Sequence, residues 1–290
     1  MMKTNDLKVN NRGFAHVEAL IAVLVLVVLV AIGGYVYQNN VGNSYKKNIT
    51  TLFTNQGTQM KVVAESFGRP VWTSKNVTPE NAAADFAYIN PNISKALALT
   101  DTLAANNKPV ILPGATLFSS GKNLKNSNDL MKTYVKDSYA FLKDYQALST
   151  YAQESSKIQA SMGAVLSSLG QSSSSSATPT QIATLYTSDI QGLNSIIDGY
   201  KKLTPPADLV PLNGKLISAL TDLKTYMSKI VTDIKTNNTT ALYSDSSSLT
   251  IASLNLVSIS MTDTTALLQG NSIMHAQITK LTSDASKLTN

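Results

Sequence analysis

Residues 13–37 read GFAHVEALIAVLVLVVLVAIGGYVY, and after Glu18 every residue through Val36 is apolar or glycine. As a helix, residues 17–37 rise about 30 Å, the thickness of one bilayer core. The sequence therefore predicts a transmembrane helix over 14–37. Lys3, Lys8 and Arg12 precede it against the single acid Asp6, so the short leader is expected on the cytoplasmic side. Everything after Gln38 would then lie outside the cell. Glu18 is the exception within the run, because a carboxylate in an apolar span is costly unless something offsets its charge.

The stretch Arg12-Gly13-Phe14-Ala15-His16-Val17-Glu18-Ala19-Leu20 resembles the processing signature of type IV prepilins and pseudopilins. That signature is a short basic leader ending in glycine, then phenylalanine, a glutamate four residues later and a long apolar helix. The resemblance implies cleavage after Gly13 by a prepilin peptidase, methylation of the new amino group on Phe14, and assembly with other pilin subunits on an assembly platform. It implies that Glu18 offsets the free amino terminus of a neighbouring subunit. Ala15 and His16 depart from the usual threonine-leucine pair. The resemblance covers about 25 of the 290 residues. A signal-anchor helix explains the apolar run and the basic leader equally well, with Glu18 then an acid in the first helical turn. A secretory cut is the poorest fit, since Leu29-Val30-Ala31 is a weak small-residue site inside a continuing apolar run.

Charged residues make up 14% of the chain and hydrophobic ones 43%, which suits a packed core rather than a disordered tail. The formal charge is +6, and loss of residues 1–13 removes three bases and one acid to leave +4 over 277 residues. So weak a balance is no footprint for nucleic acid. With no cysteine in the chain, disulfide and thiolate chemistry are excluded, and the outer part must rest on its core.

Outward from the span, Val41, Tyr45, Ile49, Leu52, Phe53, Met60, Val63 and Phe67 keep helical spacing. They predict a helical extension or stalk over 38–67, broken near 39–43, and an extracytoplasmic helical domain over 68–290. Thr78-Pro79 reads as a helix start, with one helix to Ile89 and another from Ile93 to Leu103. Lys108-Pro109-Val110-Ile111-Leu112-Pro113-Gly114 reads as a crossing loop or a short strand. A long helix follows from Leu124 or Asn128 to Leu169 on a stripe of Leu130, Tyr134, Phe141, Tyr145 and Leu148, ended by Gly170-Gln171 and five serines. Thr178-Pro179 and Thr204-Pro205 open two more helices. Residues 249–262 admit helix or strand, with helix favoured by the neighbours, and a terminal helix begins after Gly270. The predicted class is all-α: a transmembrane helix running into an up-and-down bundle. A pilin head of the usual kind is strand-rich, and this sequence carries little strand signal.

No converging set of acid, base and nucleophile is legible, so the chain does not read as an enzyme, and no cofactor or metal is predicted. His16 and His275 are isolated, the latter reading as a solvated side chain. Asp222, Asp233, Asp245, Asp263 and Asp284 are spaced as exposed-face residues. The tyrosines at 134, 139, 145, 151, 186, 200, 226 and 243 read as rims of helix contacts before adhesive surface, and Trp72 as a plug between elements. The sequence thus predicts a pilin-like filament subunit, with Gly13 and Phe14 for processing and Phe14 and Glu18 for assembly. Its alternative is a membrane-anchored helical binding module that never polymerises.

Overall fold

The computed structural model describes residues 12–172 and 178–289, with side chains described outside 12–34, 170–172, 269, 271–273, 275 and 282–289. The predicted serine loop from residue 173 on, Lys3, Lys8 and the side chains of His16, His275 and Asp284 lie outside the described residues. Among the described residues every regular element is helical: α1 Arg12–Glu65, α2 Pro70–Thr73, α3 Pro79–Asn106, α4 Ser119–Ser172, α5 Pro179–Lys202, α6 Val210–Thr236 and α7 Thr239–Thr289. The 249–262 segment is helix, and the 108–114 segment is a loop leading into a 3₁₀ turn at Ala115–Leu117.

Capping fixes several of the starts. Thr78 accepts from the Asn81 amide at 3.2 Å with Pro79 in the first turn. Thr178 and Gln181 close a full capping box, the Thr178 amide donating to the Gln181 side chain at 2.8 Å. The expected Thr204 cap is absent. A 3₁₀ turn at Ala207–Leu209 leads directly into α6, which has no side-chain cap. Between α6 and α7, Asn237 takes a left-handed φ of 52° and Asn238 accepts from the Ala241 amide, an Asn-Asn turn that reverses the chain.

Several predicted breaks do not occur. α1 is continuous through 39–43, and its outer half is no free stalk: Ile49, Phe53, Met60 and Val63 are buried in the bundle. α3 runs through Pro91, where the ring and Ala87, whose carbonyl loses its partner, are both exposed to water. On either side Phe86, Ile89, Ile93 and Ala96 are almost fully buried, so packing outweighs the local cost. α4 starts earlier than read, at Ser119, and runs past Gly170 to Ser172. Leu130 faces out and Met131 is buried in its place. α7 passes Gly270 without interruption.

Two apolar cores stack end to end. The lower joins Phe53, Val63 and Phe67 of the α1 region to Ile89 of α3, Tyr145 of α4 and Ile278 of α7. Trp72 plugs it, edge-on to Phe86. The upper joins Val165 of α4 to Leu193 and Ile196 of α5, Leu220 of α6 and Leu256 of α7. α4, about 80 Å long at 54 residues, and α7 run through both cores and hold them in line.

The turn from α1 to α3 is locked by charge. Arg69 pairs with Asp85 at 3.1 Å and lies 3.6 Å above the Tyr88 ring, and the Val71 amide donates to the other Asp85 oxygen at 3.0 Å. Asp85 is buried. Arg69→Ala strips the cation paired with Asp85 and is expected to destabilise the chain by about 2 kcal/mol, discounted because Arg69 is one-third exposed. Arg69→Lys should recover part of that loss, lacking the planar stack on Tyr88. Urea midpoints for the two variants check both.

Candidate functional site

The residues of the processing signature fall at the start of α1. Arg12 is its first residue, Gly13 and Phe14 follow, and Glu18 stands one turn beyond Phe14 in the same helix, so positions 14 and 18 share a face. Their side chains lie outside the described residues. The helix that carries them continues without a break into the spine of the lower core.

Buried polar side chains set the register of that helix. The Tyr45 hydroxyl donates to the Asn107 side chain. Gln56, fully buried, donates to Thr100 of α3 at 3.2 Å and accepts from the Tyr134 hydroxyl of α4 at 2.6 Å. Gln59 donates to the Asn92 side chain at 3.0 Å, and Ser66 shares a 2.7 Å hydrogen bond with Tyr145. A helix slipped by one residue would leave these groups buried and unpaired, at about 1–3 kcal/mol each. Sequence reasoning missed them. Gln56 follows Phe53 by three residues and precedes Met60 by four, and that register was the available signal.

A second polar cluster lies where the two cores meet. Asp263 of α7 is fully buried, contrary to its reading as an exposed-face residue, and Asp233 is buried too. Asp263 accepts from Gln159 of α4 at 3.2 Å and, at a long 3.5 Å, from the Tyr151 hydroxyl, which lies at the same distance from Asn213 of α6. Tyr200 of α5 is close enough to feel the Asp263 charge and is itself fully buried. Each helix around the junction thus contributes one or more polar groups, none of them cationic. Burial pushes the Asp263 carboxyl up to about 6, against the opposing effect of its hydrogen bonds from Tyr151 and Gln159. Burial first, and then the Asp263 charge, push both tyrosine hydroxyls up as well.

Five of the eight tyrosines singled out, at 134, 145, 151, 186 and 200, are buried in the cores; Tyr139 and Tyr243 are exposed. The most apolar outer surface of the upper bundle belongs to α7, where Ile251, Leu254 and Met261 are about two-thirds exposed and Tyr243 more so. By length and composition the stretch Thr239–Leu268 is long and apolar enough to cross a membrane. Its opposite face, Leu249, Ala252 and Leu256, is packed into the upper core.

No protein-family profile matches the chain, and neither a curated protein nor a solved structure matches it.

Proposed function

We propose that the chain is a type IV pilin-like structural subunit, a minor pilin or pseudopilin, whose head is an all-α bundle in place of a sheet. The observation that carries this reading is the order Gly13, Phe14, Glu18 and then an uninterrupted apolar run. The continuity of α1 from Arg12 to Glu65 supports it, because a filament subunit transmits force from a helical core to its head through one element. A prepilin peptidase would cut after Gly13, and other pilin subunits and an assembly platform would receive the mature helix. The leader, with Lys3, Lys8 and Arg12, would stay cytoplasmic, and the head outside. The exposed apolar face of α7 supports a contact role for the head, since charge-free apolar surface of this kind marks interaction sites.

The all-helical head favours a second reading, a tethered binding bundle that does not polymerise. Mass spectrometry of the chain purified from its native host separates the two. The pilin reading expects an amino terminus at N-methylated Phe14. A chain that retains residues 2–12 overturns it and leaves the tethered bundle.

A further inference from the structure

Fifteen large apolar side chains are exposed among the described residues, and six gather at one place: Tyr35, Val36, Tyr37, Val110, Leu117 and Phe118. This is the end of the bundle where the apolar run of α1 enters it. The backbone of the loop that follows α3 is tied to α1 there by Gln38. Gln38, 4% exposed, donates to the Val110 carbonyl at 2.9 Å and accepts from the Leu112 amide at 2.9 Å, so it pairs with the loop backbone in both directions. Gly114, at φ 80°, turns the chain into the 3₁₀ turn. Gly121 lets that turn sit on α4, since a Cβ there would stand 2.1 Å from the Ala115 carbonyl oxygen. Phe118 then meets the Tyr35 ring edge-on at 5.7 Å, and Leu117 is left 86% exposed. A loop tied down this firmly, with leucine and phenylalanine turned outward, is built to present them.

Charge completes the pattern. Residues 35–54 and 107–128 hold Lys46, Lys47, Lys108, Lys122 and Lys125, and the first acid of α4, Asp129, stands 3.9 Å from both Lys125 and Lys132, so bases outnumber acids at this end. The five lysines within those segments are exposed. The cross-contacts of Tyr45 with Asn107, and of Gly42 with Leu124, put these lysines at one level of the bundle, just beyond the apolar cluster. An apolar and aromatic band followed by a ring of lysines matches the layers of a membrane surface, acyl boundary and then anionic headgroups.

We infer that the 107–118 loop and the α1 segment at 35–37 form a collar that seats in the interface of an anionic bilayer around the emerging helix. The collar fixes the bundle against the membrane instead of leaving it on a swivel. This rests on α1 spanning the bilayer, which the filament and tethered readings share, and not on polymerisation.

Because the chain has no cysteine, single-cysteine fluorophore labels report depth cleanly. The full chain is reconstituted in phosphatidylglycerol-containing vesicles with labels at Leu117→Cys, at Thr102→Cys on the exposed face of α3, and at Val25→Cys within the span. Leu117 is so exposed that its replacement leaves the fold intact. The collar expects the label at 117 to be quenched by spin-labelled lipid and to be roughly threefold less accessible to aqueous iodide than the label at 102. Replacing Lys108, Lys122 and Lys125 with serine should shift the label at 117 toward water. A lipid-quenched label at 25 with a label at 117 as accessible as that at 102 overturns the collar alone. A label at 25 that lipid does not quench overturns the collar together with the span beneath it.

Discussion

Replacing Asp263 with asparagine is expected to raise the melting temperature of the chain at pH 7.5 and leave it nearly unchanged near pH 4. The carboxyl is fully buried among Tyr151, Gln159, Tyr200 and Asn213, and burial pushes it up to about 6 from an ordinary value of 3.8. A group raised in the folded state favours folding while it is protonated, below its unfolded value. That contribution is lost as pH climbs from about 4 through 6. At pH 7.5 the native chain carries a buried, unpaired charge whose cost, from a shift of this size, is about 2–3 kcal/mol. Asparagine keeps the shape, its carbonyl oxygen accepting from Tyr151 while its amide donates to Gln159 once the Gln159 amide turns over, so the variant should melt roughly 4–10 °C higher at pH 7.5. Thermal unfolding followed by circular dichroism at the two pH values checks it. Equal melting temperatures at pH 7.5 would mean that the carboxylate has a favourable partner in the native junction. Asp263→Leu is the contrasting case, because it abandons Gln159 and Tyr151 and should destabilise the chain at both pH values.

The same residue shows where sequence reasoning stops. Spacing alone located the apolar faces, because Leu216, Leu220, Leu223 and Met227 recur on one side of a helix and are all buried. An aspartate is assigned outward by the same habit, yet Asp263 lies seven residues after Leu256 and in register with Leu249 and Ala252, so position carried information that residue type concealed. Gln56 hides in the stripe of Phe53, Met60 and Val63 in the same way. The helix ends failed for a different reason. Pro91 and Gly270 are local breakers, but local preference costs about 1–3 kcal/mol, and burial of Ile89 and Ile93 around the first and of Ile278 and Leu281 beyond the second exceeds it. Gln38 was not legible at all. Its partners are the backbone of Val110 and Leu112, more than seventy residues away, and no periodicity reports a side chain that pairs with a distant loop.

Continuity through the breakers also bears on how the head is held. α4 and α7 belong to both cores, so the upper bundle cannot pivot at the junction without opening the buried cluster around Asp263. With α1 fixed to α3 and α4 through Gln56 and Gln59, the two cores are held as one stiff unit. Such a unit serves a filament subunit and a tethered binder alike. What separates them lies in the first turns of α1.

Glu18→Ala is expected to abolish incorporation into filaments while membrane insertion proceeds normally. The two effects separate because alanine removes the one ionised side chain from the apolar run, so the variant enters the bilayer at no greater cost than the native chain. Loss of assembly therefore cannot be ascribed to a failed insertion. In the assembled state the proposed partner of Glu18 is the methylated amine of Phe14 on a neighbouring subunit, in surroundings with little water. Truncating one member of a desolvated charge pair costs about 2–5 kcal/mol, and in a filament the loss recurs at every subunit contact. Glu18→Gln keeps the size and loses the charge, so it should fail in the same way if charge is what matters. The measurement is the fraction of chain recovered in sheared filaments against that left in membranes. Native, Glu18→Ala and Glu18→Gln chains are compared after each is shown to be processed at Gly13. Equal recovery for all three would remove the assembly role of Glu18 and leave it as a first-turn acid at the edge of an anchor.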